Sequence, residues 1–154
     1  WDWGSHYAAM CINLLGRIPE NVRARRIESR EVEDANEKKK GEVLELELDF
    51  GDAVASITIG NLFSEKIRLF SIAFEGGELI YDDTRDGGGK LRLKTTPDNP
   101  GGTFKLGPGL PVERAVLAFA AAIALGTPNV DDAELGLDVV RTLARLEETL
   151  IPGQ

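Results

Sequence analysis

The sequence has little of the chemistry on which many protein classes depend. It contains one cysteine and one histidine among 154 residues, so it can form neither an internal disulfide nor a zinc-type Cys/His cluster. No apolar run approaches the roughly 20 residues that cross a bilayer, and no signal peptide is visible. Acidic residues outnumber basic ones by 26 to 18, which argues against binding to a nucleic-acid backbone. We therefore expect a cytoplasmic protein that uses no metal, nucleic acid or membrane.

The remaining composition is that of an ordinary globular protein. Hydrophobic residues make up 42% of the chain and charged residues 29%. A chain of this length buries roughly 70% of its unfolded surface, which is enough for a true core. We expect residues 1–154 to form a single domain.

The N-terminal part of the sequence predicts a helix followed by a strand. Ser5 is a good N-cap and Gly16 a good stop, so residues 6–15 are predicted to be a short helix, with Tyr7, Met10 or Cys11, and Leu14 on one face. Residues 21–27 alternate as a strand. The charged stretch 28–40 carries both signs and is predicted to be a solvated strand end and loop.

The centre of the sequence predicts β-structure. Residues 44–50 and 53–59 are predicted strands joined by a two-residue turn at Gly51-Asp52. Residues 67–74 are apolar on both faces of the pleat, so they need a cover on both sides. One cover is a helix layer, and a second subunit could provide the other. Gly76-Gly77 predicts a tight turn before strands at 79–81 and 91–93, and 96–111 reads as a loop.

The C-terminal part predicts two helices. Pro111 suits a first helical position and Gly126 a helix end. Asp131 is predicted to cap the last helix, whose apolar stripe runs from Leu135 to Leu150. The order of helix, strands and two helices indicates an α+β fold, with an open, mostly antiparallel sheet and helices on one face.

Asp2 and His6 are the candidate catalytic residues. Histidine is the side-chain type that exchanges a proton near neutral pH, and a helix N-terminus disfavours its charged form. Asp2, four residues earlier, could orient the ring, while Gly4 permits a turn between them. The same residues could instead form a plain turn before a capped helix. Trp3 and Tyr7 are candidate substrate-binding residues, although either could belong to a core.

The sequence gives little support for a phosphate-binding or dinucleotide-binding motif. Gly87-Gly88-Gly89-Lys90 lacks the first glycine and the following Ser/Thr of a phosphate-binding loop, and favours a hairpin loop. No Gly-x-Gly-x-x-Gly fingerprint is present, so we expect no dinucleotide-binding site in this chain.

Several segments together resemble a known family. The matching segments are Asp2-x-Gly4-x-His6 with Leu14-Leu15-Gly16, the stretch 74–82, Pro111 to Ala115 with Phe119, Ala124 to Pro128, Asp132, Gly136-Leu137, Val139-Val140, and Leu146 to Leu150. Together they resemble the C-terminal domain of the glucose–fructose oxidoreductase/inositol dehydrogenase (Gfo/Idh/MocA) family.

The resemblance implies a fold, a reaction and partners. Members of this family join an N-terminal Rossmann domain, which binds NAD or NADP, to a C-terminal domain whose sheet commonly forms the subunit interface. Their substrates are mostly sugars, inositols, sugar nucleotides or related polyols. By this resemblance His6 exchanges the proton of the substrate hydroxyl and Asp2 supports it. The family's Glu-Lys-Pro motif and the whole cofactor half are missing here, so we expect this chain alone to be inactive.

Three functional hypotheses follow from the sequence. The first is the substrate and oligomerisation domain of an NAD(P)-dependent oxidoreductase that acts on a sugar-like alcohol. The second is a non-catalytic α+β module for dimerisation or binding. The third is a hydrolase that uses Asp2 and His6 as an acid/base pair.

Overall fold

The protein is described by a computed structural model that covers residues 2–34, 37–85, 89–95, 101–105, 111–127 and 130–150. Within these residues, three helices and seven strands follow one another: α1 (Asp2–Leu15), β1 (Asn21–Asp34), β2 (Glu37–Asp49), β3 (Val54–Gly60), β4 (Leu69–Phe74), β5 (Gly77–Asp82), β6 (Leu91–Thr95), β7 (Gly102–Phe104), α2 (Pro111–Leu125) and α3 (Val130–Thr149). They divide into two compact units, which we name the helix-backed unit (residues 1–62 and 127–154) and the four-stranded unit (residues 63–126).

The helix-backed unit contains the main core of the chain. Its three strands are antiparallel in the order β1-β2-β3, and α1 and α3 pack against the sheet and against each other. The inward side chains of the middle strand, such as Leu46 and Leu48, are fully buried, together with Phe50 and Leu146. Alternating polar positions face outward, as in a sheet with one covered face.

The β1–β2 hairpin is much longer than the sequence predicted. Residues 28–40 were predicted to be a solvated strand end and a loop. The strand end is confirmed, but the loop is shorter than expected, because β1 continues to Asp34 and β2 begins at Glu37. The register places opposite charges across from each other, for example Glu31 opposite Lys40 and Arg25 opposite Glu45. Cross-strand pairs of opposite charge stabilise a two-stranded ladder, and this pairing was the missed signal.

The turn between β2 and β3 is the predicted two-residue hairpin. The Phe50 amide donates to the Ala53 carbonyl at 2.8 Å, and Gly51 has a φ of 87°. A positive φ at this position costs glycine little, whereas other residues would be strained. The Gly51 amide also donates to the Asp49 carboxylate at 2.8 Å.

Polar contacts fasten α3 to the start of β1. The Arg145 guanidinium donates to the carbonyls of Pro19 and Glu20 at 2.8 and 2.6 Å. The Ala24 amide donates to the Thr149 hydroxyl at 2.8 Å. These bonds satisfy backbone groups at the point where the chain enters the sheet, which buried backbone requires.

The four-stranded unit is an antiparallel sheet in the order β4-β5-β6-β7. Its first turn lies at residues 75–76, directly before Gly77, close to the predicted Gly76-Gly77 turn. A Cβ at Gly77 would lie 2.2 Å from the Lys94 carbonyl oxygen, so only glycine fits there. The prediction of a loop throughout 96–111 is wrong at Gly102–Phe104, which pairs with β6 as β7.

One face of the four-stranded sheet is apolar, and we call it the apolar face. The register places eight apolar or aromatic side chains on it: Phe70, Ile72, Phe74, Leu79, Tyr81, Leu91, Leu93 and Phe104. Phe74 and Phe104 are about half exposed, and the other six are partly exposed. The strand predicted at 67–74 is two residues shorter than expected, since β4 begins at Leu69. The described residues leave its apolar side partly open.

Helix α2 is the second open apolar surface of this unit. It ends at Gly126, as predicted, with a φ of 63°. Its only charged residues are Glu113 and Arg114, both in the first turn. Its large apolar side chains, among them Leu117 and Phe119, are exposed to 60% or more.

The predicted α+β class is confirmed, and the described strands form two antiparallel sheets, whereas one was expected. The stripe along α3 is also confirmed, with Val139 and Leu146 buried. Helix α3 begins at Val130, so Asp131 lies inside the helix and its predicted role as N-cap is wrong. Among the described helices, none combines the length and the apolar character needed to cross a membrane.

Candidate functional site

Helix α1 carries the predicted site, but it begins earlier than expected. It starts at Asp2, so Ser5 lies inside the helix and its predicted role as N-cap is wrong. The buried side of α1 explains the extension, because Gly4 is buried one turn before the fully buried Ala8. Packing of this face outweighs the local preference of Gly4-Ser5 for a turn.

The new boundary changes the setting of His6. His6 is the fifth residue of α1 rather than the first, and the dipole effect fades beyond the first turn. The predicted effect of the helix terminus on His6 is therefore wrong. The predicted turn at Gly4 is also wrong, since Gly4 is helical.

The helical register nevertheless brings the two candidate catalytic positions together. Positions 2 and 6 are one turn apart on a continuous helix and therefore share a face. They lie on the side of α1 opposite to the buried positions Ala8, Cys11 and Ile12, and the His6 side chain is exposed. The side chains of Asp2 and Trp3 lie outside the described set, as does Trp1.

The other residues of α1 define which side is open. The sequence predicted that Tyr7, Met10 or Cys11, and Leu14 form the buried side of α1. Cys11 is buried and Tyr7 half-buried, but Met10 and Leu14 are exposed, so that prediction is wrong at these two positions. Burial raises the pKa of the Cys11 thiol, which makes a thiolate nucleophile there unfavourable. The exposed side of α1 thus presents an imidazole beside apolar side chains, an arrangement that suits proton exchange with a bound alcohol.

The groove on the outer face of the three-stranded sheet has a different character. It has a volume of about 300 Å³ and is lined by Arg23, Arg25, Glu45, Leu46, Glu47 and Ser56. Arg25 forms an ion pair with Glu45 across the strands, which raises the pKa of the guanidinium. Paired charges of this kind neutralise each other, so the groove presents no unbalanced charge for a ligand.

A cluster of charges around Asp83 was missed by the sequence analysis. The Asp83 carboxylate accepts hydrogen bonds from Lys90 at 2.7 Å, from Arg68 at 3.3 Å and from the Tyr81 hydroxyl at 3.2 Å. Lys90 in the first place, and then Arg68 and Tyr81, hold the pKa of Asp83 below its usual value. The pKa of Tyr81 is raised by desolvation and by its bond to this carboxylate.

The neighbouring Asp82 is also engaged. Its carboxylate accepts bonds from the Thr84 hydroxyl at 2.6 Å and from Arg85 at 3.1 Å, and the Thr84 bond leads the causes that lower the pKa of Asp82. Both carboxylates are therefore held ionised by nearby donors, which fits a structural tie between strand ends better than an acid/base pair. The sequence signal was the spacing of Arg68 and Lys90 around the Asp82-Asp83 pair.

Metal and nucleotide sites find no support in the described residues. No group of three or more His, Cys, Asp or Glu side chains among them could hold a metal ion. Half of the predicted loop Gly87-Gly88-Gly89-Lys90 falls outside the described residues, which include Gly89 and Lys90.

Comparison with known proteins places this fold. A candidate oxidoreductase from Magnetospirillum magnetotacticum MS-1 superimposes with a TM-score of 0.79 and 31% identity over 95% of this chain. The candidate oxidoreductase yvaA from Bacillus subtilis gives a TM-score of 0.71, with 21% identity over 97% of the chain. No protein-family model and no curated protein matches.

The chain spans about half the length of both solved structures, 47% and 48% respectively. It therefore has the fold of a domain that occurs in candidate oxidoreductases. The first of the two also resembles it in sequence, whereas the second shows the shared fold alone.

Proposed function

We propose that this chain is the substrate and oligomerisation domain of an NAD(P)-dependent oxidoreductase of the Gfo/Idh/MocA type, acting on a sugar, a polyol or a sugar nucleotide. The observation that carries the proposal is the position of His6 and Asp2 on α1. In a chain 31% identical to part of a candidate oxidoreductase, the only histidine lies exposed on α1, one turn from Asp2. The apolar face of the four-stranded sheet is the proposed subunit interface.

The nicotinamide cofactor belongs to another domain in this proposal. The glycines described in this chain lie at strand turns, at helix ends or within helices and strands. Among the described residues there is no strand–glycine loop–helix unit of the kind that cradles a dinucleotide phosphate. When bound, the cofactor supplies the hydride chemistry, and the chain's own contribution is the proton.

His6 is the proposed general acid/base. It accepts the proton of the substrate hydroxyl as the alcohol is oxidised, and it returns that proton to the carbonyl oxygen in the reverse direction. Asp2, one turn earlier, would hold the ring orientation by accepting the N–H on the side away from the substrate. Trp3 and Tyr7, on the same helix, would contact the substrate.

The test replaces His6 by Gln in the polypeptide that carries this domain together with its nucleotide-binding domain. Positioned proton transfer contributes about 10²- to 10⁴-fold in rate, so kcat should fall by that factor while the Kd for NAD(P)H stays the same. Asn13→Ala is the matched control, because Asn13 is exposed on the same helix two turns further on. An unchanged kcat in His6→Gln would remove His6 from the mechanism.

A non-catalytic module for dimerisation is the second candidate function. The observation that favours it is the large exposed apolar surface of α2 and of the four-stranded sheet. The two functions differ in what His6 does. If the isolated chain binds polyols or sugars by saturation-transfer NMR and His6→Gln abolishes that binding, the substrate domain is supported. Assembly without any such binding supports the module.

A further inference from the structure

The four-stranded sheet has a second face, which carries the charged side chains of β5 and β6, and we call it the polar face. The register places one row of four side chains across it: Ser71, Ile80, Arg92 and Thr103. Ile80 is 4% exposed, whereas Ser71 and Thr103 are exposed. Arg92 therefore stands between a buried isoleucine on β5 and an open hydroxyl on β7.

The guanidinium group of Arg92 is incompletely satisfied. Its Nε atom is buried and has no hydrogen-bond partner among the described residues. A buried donor without an acceptor lowers stability by the full desolvation penalty of that group. A guanidinium group in this state is a site where an external acceptor gains more than it would on an open surface.

The carboxylates closest to Arg92 along the sheet have other donors. Glu78 and Asp82 lie on β5, each one diagonal step from Arg92 in the register. Lys94 donates to Glu78 at 3.3 Å, and donors of its own turn hold Asp82 at 2.6 and 3.1 Å. Neither carboxylate therefore serves as the acceptor that the buried Nε atom needs.

The distribution of charge favours an anion at this place. The chain has a net charge of −8, but residues 63–126 contain eight basic and eight acidic residues, so the acidic excess lies in the helix-backed unit. The only charged residues of β6 are Arg92 and Lys94. Positions two apart on a strand share a face and lie roughly 7 Å from each other, so their like charges repel. A bound anion would relieve that repulsion.

We propose that Arg92, with Thr103 beside it, binds an oxyanion, namely the phosphate or carboxylate group of a small molecule, on the polar face. The planar fork of arginine matches both groups with two parallel hydrogen bonds. Thr103 lies directly across from Arg92, and side chains in such pairs are close enough to act on one ligand. Its hydroxyl donates the additional hydrogen bond. This site belongs to the four-stranded unit and does not depend on the proposed chemistry of His6.

The probes are inorganic phosphate and acetate, each titrated into the chain at constant ionic strength set by sodium chloride. The readout is the ¹H–¹⁵N spectrum of the arginine Nε–H groups, in which the Arg92 signal is the one that Arg92→Gln removes. One or both anions should shift this signal along a saturating curve. The anion that binds more tightly identifies which of the two groups the ligand carries.

Arg92→Gln should weaken binding by about 10-fold or more, as loss of a hydrogen bond to a charged group does. In this variant binding is followed at the Thr103 amide. Arg23→Gln is the matched control and should bind as the unmodified chain does. Arg23 is also an exposed arginine on a sheet face, but it lies in the helix-backed unit opposite Glu47.

Stability measurements separate binding from a role in folding. Arg92→Met keeps the apolar stem and removes a buried donor that lacks an acceptor, so without added anion it should be at least as stable as the unmodified chain. Added phosphate or acetate should stabilise the unmodified chain against urea but not Arg92→Met, because a ligand stabilises only the state that binds it.

Three results would overturn the proposal. The first is an Arg92 signal that neither anion shifts, or that shifts linearly together with the other arginine signals. The second is unchanged binding in Arg92→Gln; if circular dichroism shows that this variant is unfolded, Arg92→Lys takes its place, since it keeps the charge but loses the fork. The third is a loss of stability in Arg92→Met without added anion, which would make Arg92 a structural residue.

Discussion

The sheets of the two units differ in how far their apolar side chains are buried. In the helix-backed unit α1 and α3 lie against the sheet, and Leu46, Leu48 and Leu146 have no exposed surface. In the four-stranded unit Ile80 is the only apolar side chain among the described residues that is buried below a tenth of its surface. The first sheet is covered by helices of its own chain, whereas the second has an apolar face that stays partly open.

This difference in burial predicts which of the two units is more stable. A fully buried Leu or Phe contributes about 1.5–3 kcal/mol relative to an exposed one. Residues of that kind are concentrated in the helix-backed unit. We therefore expect the helix-backed unit to be the more stable of the two in the isolated chain, and the four-stranded unit to gain stability from association.

The largest expected effects are at two phenylalanines, Phe50 in the helix-backed unit and Phe74 in the four-stranded unit. Phe50→Ala removes a ring that is 1% exposed and should lower the free energy of unfolding by about 3–5 kcal/mol, because it leaves a cavity. Phe74→Ala, at a site that is 51% exposed, should cost less than about 1 kcal/mol in the monomer. Urea denaturation of dilute protein measures both.

Hydrogen exchange assigns each effect to its unit. Amides of residues 44–48 should exchange more slowly than amides of residues 79–81 in the unmodified monomer, and Phe50→Ala should accelerate the first group. Equal protection in both strands, or equal cost of the two substitutions, would contradict the proposed difference between the units.

A smaller effect tests how the helix-backed unit is fastened. Arg145→Met keeps the apolar stem but removes the donors to the Pro19 and Glu20 carbonyls. The expected loss is about 2–3 kcal/mol, since bonds from a charged donor are stronger than neutral ones. Arg141→Met is the control, because Arg141 pairs with Asp138 at the surface and such pairs contribute roughly 0–1 kcal/mol. Equal losses would mean that the carbonyl contacts of Arg145 add nothing specific.

Most of the secondary structure could be predicted from local patterns. The alternation in residues 44–50 and the Gly51-Asp52 turn are properties of neighbouring residues, and the structure confirms both. The charged half of the β1–β2 hairpin could not be found that way. Its strand character depends on partners such as Lys40 opposite Glu31, which alternation along one strand does not reveal.

The backbone setting of the candidate catalytic residues differs from the predicted one. Asp2 was expected outside the helix, whereas positions 2 and 6 both lie in α1, one turn apart. The helix start was placed four residues too late, because Ser5 and Gly4 have the local preferences of a cap and a turn. Burial of Gly4 and Ala8 is a tertiary effect, and it overrides those preferences.

The smallest expected effect tests the polar fastening of the four-stranded unit. The pKa of Asp83 is held below its usual value of 3.8, first by Lys90 and then by Arg68 and Tyr81. A folded-state pKa below the unfolded one means that the unfolded chain takes up the proton first as the pH falls. The stabilisation is therefore complete above about pH 5 and is lost progressively from about pH 4 downward.

Asp83→Asn should remove that dependence. At pH 7 the variant should be less stable by about 1 kcal/mol or less, because the side chain is one-third exposed and partly exposed ion pairs are weak. The difference from the unmodified chain should shrink below about pH 4, as followed by exchange of the residue 79–81 amides. Lys90→Met should reproduce most of the loss, since Lys90 makes the shortest contact. Parallel curves from neutral to strongly acidic pH would show that Asp83 does not fasten these strand ends, and the four-stranded unit would then depend on its apolar contacts alone.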